Sequence, residues 1–219
     1  MRNVYFTADL HLDHRNIIKY CNRLFCLSNE EKANLVELNS RDYTRDELRK
    51  LYISDDSLKR MNDGIIDSIN SKVDDSDTLY ILGDFGFARN SEFHKIESFR
   101  KRITCRNIHF IIGNHDNFSK SQYQSIFSSV HTEWMVRHNG HKIFMHHFPL
   151  LEWDGSFHNV IHCFGHCHSN KNEWIQENMP SAKMIDVGVD NWEYGPISLE
   201  EVISFTNRNI IKRSYQCNY

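Results

Sequence analysis

The stretch Asn107-Ile108-His109-Phe110-Ile111-Ile112-Gly113-Asn114-His115-Asp116 decides how this chain folds. Its first six residues form a short apolar run of the kind that becomes a buried strand. The run stops at Gly113, where the backbone can turn sharply. An amide, an imidazole and a carboxylate follow at once. Polar side chains at the end of a buried strand are costly without partners, so partners must come from elsewhere in the chain.

Other apolar runs end the same way. Residues 3–7 are β-formers that lead to Asp9 and His11, which share one face of an extended backbone. Residues 78–82 end at Gly83-Asp84. Residues 130–137 and 141–145 read as a hairpin around Asn139-Gly140, and the second strand runs into His146-His147-Phe148-Pro149. Residues 159–164 end in Gly165-His166-Cys167-His168. A late strand is expected at 183–189.

Helical patterns alternate with these runs. Leu58, Met61, Ile65, Ile66 and Ile69 recur at helical spacing within residues 55–73. Further helices are expected at 16–20, 91–102 and 119–127, and at 198–206 with Ser198 as its cap. The alternation, followed by β-rich segments, specifies an α/β or α+β fold with one or two sheets. Residues 1–219 are expected to form one domain. Residues 26–54 stand apart as polar and rich in alternating charge, with Thr44 and Glu47 placed as a capping box. They read as a helical insertion, either solvated or laid as a lid over the site.

Composition excludes several classes. The net charge of −3 gives no global pull toward nucleic acid or an anionic membrane. No apolar run is long enough to span a bilayer and no signal-peptide pattern opens the chain, which leads to a cytoplasmic expectation. Asp9 and His11 lie so close to the start that a removable leader is not expected. Cys21, Cys26, Cys105, Cys163, Cys167 and Cys217 form no Cys-x-x-Cys pair and read as reduced thiols.

The fourteen histidines are the informative excess, because several fall at strand ends. Asp9, His11, Asp84, Asn114, His115, His147, His166 and His168 all sit there, and open α/β sheets carry their sites outside strand ends. A mixture of carboxylate, imidazole and amide suits Mn, Fe(II), Zn or Co. The set is larger than one tetrahedral ion needs. Two ions sharing a carboxylate is the natural solution, and a pair roughly 3.5–4 Å apart clamps both oxygens of a displacement at phosphorus.

On these residues the chain resembles the calcineurin-like metallophosphoesterase superfamily. Asp9-Leu10-His11, Gly83-Asp84, Gly113-Asn114-His115-Asp116, His147-Phe148-Pro149 and Gly165-His166-Cys167-His168 match its five motifs in order. His11 to Ile18 and Val187-Gly188-Val189-Asp190 with Trp192 are similar to a subset of small bacterial and phage proteins.

The resemblance implies a four-layer αββα sandwich of two mixed sheets. It implies that Asp9, His11 and His168 hold one divalent ion, that Asn114, His147 and His166 hold a second, and that Asp84 bridges them. It also places His115 beside the leaving oxygen. His147 rather than His146 is the expected ligand, because it stands two residues before Pro149. Manganese is the expected metal, with Fe, Zn, Ni or Co as alternatives.

The expected reaction is hydrolysis of a small phosphomonoester or phosphodiester. A hydroxide held between the ions attacks phosphorus, and His115 assists departure. Asp116 either holds His115 protonated or merely caps the next helix. His14, Asn16 and Arg23 either contact a phosphate or line a surface helix face. Trp153, His158 and Trp192 form either a ring pocket or core packing.

Two other readings compete. A nuclease of the same family would need a basic groove, and Lys95, Arg100, Lys101, Arg102 and Arg106 supply only a local basic run. A metal-binding scaffold without catalysis would usually have lost motif residues that are intact in this chain.

Overall fold

The computed structural model describes residues 2–208. In chain order the elements are β1 (Val4–Thr7), α1 (Arg15–Tyr20), α2 (Asn29–Asn39), α3 (Arg45–Lys50), α4 (Asp55–Lys72), β2 (Thr78–Leu82), α5 (Phe93–Arg102), β3 (Asn107–Ile111), α6 (Lys120–Gln124), β4 (Ser129–His131), β5 (Glu133–His138), β6 (His141–His146), β7 (Ile161–Phe164), α7 (Asn172–Asn178), β8 (Met184–Asp186), β9 (Ile197–Ser198) and α8 (Leu199–Arg208). Strands β4-β3-β2-β1-β9 form one sheet, parallel except at β9. Strands β5-β6-β7-β8 form the other, antiparallel only between β5 and β6.

The period-two alternation of strands assigns each face. Val4 and Phe6 of β1, Tyr80 and Leu82 of β2, and Ile143 and Met145 of β6 meet in a core between the sheets, together with Ile161, Cys163 and Ile185. Leu79, Ile81, Ile108 and Phe110 turn the other way, against Met61, Ile65, Ile66 and Ile69 of α4 and Ile96 of α5. Phe144, Phe164 and Met184 leave the second sheet on its outer side and pack with Trp153 and with Ile175 of α7. Helix, sheet, sheet and helix therefore stack as four layers, with two mixed sheets at the centre.

Residues 26–54 fold as α2 and α3 around a small core of Leu35, Leu38 and Leu48. Each helix opens with a capping box, Ser28 with Glu31 and Thr44 with Glu47. Glu31 also accepts Ser54 N and the Ser57 hydroxyl, which ties this segment to the start of α4.

The expected strand at 130–137 is two strands. Ser129–His131 completes the edge of the first sheet, and Glu133–His138 begins the second. Periodicity does not break at Thr132, so a change of sheet leaves no trace in the pattern. Helix α7 and the two-residue β9 also escaped the reading. The first is a largely exposed helix of about two turns, and the second is too short to carry a period. Ser198 caps α8 as expected, accepting Glu201 N at 3.2 Å. Among the described residues no helix is long and apolar enough to cross a membrane. Cys21, Cys26, Cys105, Cys163 and Cys167 are free thiols, and Cys217 lies outside the described residues.

His162 on β7 has a folded-state consequence. It is wholly buried among Phe144, Trp153 and Phe164. Its Nε2 accepts Leu150 N at 3.2 Å, so protonation there would also break a hydrogen bond. Burial pushes its pKa down to about 4. Neutral His162 is compatible with the fold at all pH above the unfolded value of about 6.5. Stability is lost as pH falls from there toward 4, up to about 3 kcal/mol. We predict that the gap between melting temperatures at pH 7 and pH 5 narrows in His162→Gln, and an unchanged gap would contradict this assignment.

Candidate metal centre

The carboxyl ends of β1, β2 and β3 and those of β6, β7 and β8 meet along one rim. Backbone bonds stitch the loops that leave them. Asp9 N donates to Gly83 O at 3.1 Å and His11 N to Asp84 O at 2.9 Å. Gly165 N donates to His147 O at 2.9 Å. Two further bonds cross between the sheets, His166 N to Asp9 Oδ2 at 2.8 Å and Val189 N to Ala8 O at 3.0 Å. The common direction of parallel strands thus becomes a shared site.

Ligand-type atoms of Asp9, His11 and His168 lie within 4.8 Å of one another, as do those of Asp9, Asp84 and His147. Asp84 Oδ2 stands 3.4 Å from His11 Nε2 and 3.5 Å from His147 Nε2. Asn114 Oδ1 lies 2.9 Å from both His147 Nε2 and His166 Nδ1. All seven expected ligands are therefore brought into one cluster, in two groups that share the Asp84 carboxylate. His115 is exposed beside it. Its backbone N donates to Asp84 Oδ1 at 2.9 Å, and its ring stands 5.4 Å from that of His11.

The imidazoles are oriented from behind. His147 Nδ1 meets Leu82 O at 2.8 Å, which fixes a proton on Nδ1 and turns Nε2 toward Asn114 and Asp84. His168 Nδ1 meets Asp190 Oδ2 at 2.7 Å. Asp190 is held in turn by Arg23, whose Nε and Nη2 reach its two oxygens at 2.8 and 3.0 Å. Metal-binding histidines are commonly held by such partners. Sequence reading missed this role of Asp190, although Val187-Gly188-Val189-Asp190 had stood out as a motif.

Two expectations are corrected here. Arg23 does not offer its fork to a phosphate. It is fully buried, and its remaining donors go to Leu10 O at 2.9 Å and Asp9 O at 2.8 Å. Asp116 neither holds the His115 ring nor caps a helix. Its oxygens accept Asp84 N at 2.8 Å, Phe85 N at 3.1 Å and Gly113 N at 2.7 Å, so it clamps the loops after β2 and β3 together.

The local backbone is specialised. Asp9, His11, Asp84, His166 and His168 all adopt left-handed φ, between 45° and 69°. Each such residue costs about 1 kcal/mol or more, and clusters of this kind mark functional sites. Gly113 is needed for space rather than for its φ. A Cβ there would stand 2.3 Å from Asp84 Oδ1. A Cβ on Gly165 would stand 2.6 Å from Asp9 Oδ2.

The unfilled valences fit a cation. Asp9 Oδ1 and His11 Nε2 are buried without a hydrogen-bond partner among the described residues. Burial raises Asp9 to about 7, against the opposing influence of His168 and His147. Burial disfavours charge on His147 and His168, yet neighbouring carboxylates lift them to about 9 and about 10. Asp84 falls to about 2 despite burial, because His147 and His11 favour its charged form. Protons are doing the work that a divalent ion would do. The donor set of carboxylate, imidazole and amide suits such an ion.

The remaining candidates separate cleanly. His14 joins the cluster, with its ring 5.5 Å from His11 and 6.2 Å from His115, and burial holds its pKa down to about 4. Asn16 is exposed on α1 and makes no hydrogen bond to the cluster. His146 turns away and pairs with Phe148 N at 3.1 Å. Trp153 and Trp192 donate to Val160 O and Asp186 O, as packing residues do, and His158 lies in the loop before β7. In the basic run, Arg100 is spent on backbone carbonyls, Arg102 and Arg106 pair with Asp63 and Asp75, and Lys95 pairs with Asp13 and Glu92.

No protein-family profile matches the chain. An uncharacterized protein of Methanocaldococcus jannaschii is 29% identical over 220 residues, covering 98% of this chain and 97% of that protein. A crystal structure of a protein of unknown function from Aquifex aeolicus superposes with a TM-score of 0.62 at 20% identity, covering 94% of this chain and all of that one. This likeness establishes a shared fold. A phosphoesterase of E. coli, at a TM-score of 0.34 and 17% identity over 76% of this chain and 70% of that one, is too distant to bear on the site.

Arg23 offers a direct test of its assigned place. Replacing one partner of a buried ion pair leaves the other uncompensated, at a cost of about 3–5 kcal/mol. We predict that Arg23→Met loses stability of that order in chemical denaturation. A surface phosphate contact would leave the unfolding midpoint in place.

Proposed function

We propose that this chain is a dinuclear-metal phosphoesterase of the calcineurin-like kind, acting in the cytoplasm on a small phosphoester. The observation that carries the reading is the pair of ligand groups meeting at Asp84, with His115 exposed at their edge. In this reading Asp9, His11 and His168 hold one ion, Asn114, His147 and His166 hold the other, and Asp84 serves both. Manganese is the favoured metal, with Fe, Zn, Ni or Co as alternatives of similar ligand preference. When bound, the ions would supply Lewis acidity toward phosphoryl oxygens and lower the pKa of a hydrolytic water toward neutrality.

The chain's own groups then have distinct tasks. Asp84 stays ionised and places negative charge where both ions would need it. Leu82 O and Asp190 hold His147 and His168 in fixed rotations, so little reorganisation is required on binding. His115, protonated, donates to the ester oxygen as the bond to phosphorus breaks. Its exposure on the rim beside His11 supports that role. Residues 1–219 act as one domain in this reading, with 26–54 as an insertion.

Within the basic run on and after α5, Lys95, Arg100, Arg102 and Arg106 are already matched by carboxylates or carbonyls, which disfavours the nuclease. The experiment is hydrolysis by manganese-loaded protein of a chromogenic monoester, a chromogenic diester and single-stranded DNA. The expected result is manganese-dependent ester hydrolysis, with kcat down by about 100-fold or more in Asp84→Asn. Inertness with metal bound would leave a scaffold, and activity on DNA alone would leave a nuclease. For His115→Ala the loss of kcat should reach about 100-fold on alkyl esters and be much smaller on p-nitrophenyl esters, whose leaving group needs no proton. Equal losses on both would contradict the assignment of His115 as acid.

A further inference from the structure

A cavity of 380 Å³ opens directly beside the cluster. Its walls include Phe148, Leu151, Trp174, Ile175 and Met179, supplied by the loop after β6 and by α7. Large apolar side chains stay partly open to solvent there, with Leu151 70% and Trp174 47% exposed. An exposed apolar surface of this kind, next to a polar site, marks a place for ligand. About 150 Å³ of apolar space suffices for a benzene ring, so this cavity has room for an aromatic group with a linker.

The cavity is continuous with the cluster. His166 lines it, and the same ring faces Asn114 Oδ1 at 2.9 Å. Phe148 also lines it, with its ring 4.4 Å from that of His166 and 5.1 Å from that of His147. His115 belongs to the other group, beside His11 and His14. The two groups meet at Asp84 and Asp9. A leaving oxygen served by His115 beside His11 and His14 and a substituent seated against His166 and Phe148 would occupy different edges of the cluster. One phosphate that fills both places carries two ester arms.

We infer that the cavity beside His166 is the subsite for the retained arm of a phosphodiester, and that this arm is an apolar aromatic group. The inference rests on the phosphoesterase reading. Lys171 is the single charged residue on the wall and suits the one negative charge of a diester. The apolar walls carry no set of donors and acceptors that would read the edge of a ring. Recognition is by shape and burial, so phenyl-like arms are taken without demand for particular substituents.

The test compares phenyl p-nitrophenyl phosphate with methyl p-nitrophenyl phosphate, which share a leaving group and differ in the retained arm. Manganese-loaded wild type should favour the phenyl ester in kcat/KM by roughly tenfold or more, the scale expected for a filled apolar pocket. Trp174→Ala and, separately, Leu151→Ser should reduce that ratio several-fold. Both side chains are exposed, and the ratio between wild type and variant cancels the intrinsic reactivity of the esters. Calorimetry gives a second readout without turnover: phenylphosphonate should bind more tightly than methylphosphonate, and Trp174→Ala should narrow the difference. Hydrolysis of both esters with a ratio that neither variant changes would overturn the subsite and leave the phosphoesterase reading standing. Inertness toward both esters with metal bound would overturn the reading and the subsite together.

Discussion

Asp84 occupies a position that the rest of the structure is arranged to permit. Its carboxylate is buried, one oxygen fixed by His115 N and the other set between His11 and His147. Gly113 lies so close that no side chain would fit between them. Asp116 holds the backbone of Asp84 and Gly113 together from below. Burying a carboxylate among imidazoles is tolerable only where charges compensate, and here the strand ends of two sheets supply the compensation.

That constraint explains features with no role in packing. Left-handed φ at five cluster residues turns each chain end so that its side chain reaches inward. The fold holds these conformations by stitching neighbouring loops to one another through backbone hydrogen bonds. The Arg23–Asp190–His168 line adds a further layer. It joins the segment after α1 to the turn after β8, and it sets the rotation of an imidazole that would otherwise be free to swing. A rigid frame around unsatisfied donors is what a cation site requires, since ordering the ligands before the ion arrives lowers the cost of binding it.

Much of this was legible in the chain. Apolar runs ending at glycine or at a polar pair located β1, β2, β3, β6 and β7, because burial on both faces leaves such runs almost without polar residues. The residues of the cluster stand where those runs stop, while their division between two ions came from the family resemblance. Arg23 and Asp190 were opaque for a physical reason. They are 167 residues apart, and a buried pair leaves no periodicity from which to infer its partner. Asp116 was ambiguous because an aspartate after a strand reads alike whether it caps a helix or bridges to another loop. The cavity beside α7 was hidden as well. Trp153 and Trp192 drew attention as isolated aromatics, yet both are packed, and the open wall is made by Phe148 and Trp174.

The most direct measurement is anomalous diffraction from crystals grown with manganese. The account predicts two anomalous peaks, one beside Asp9, His11 and His168 and the other beside Asn114, His147 and His166, with Asp84 in contact with both. A map with no peak at either place under saturating manganese, or a single peak away from Asp84, would contradict it.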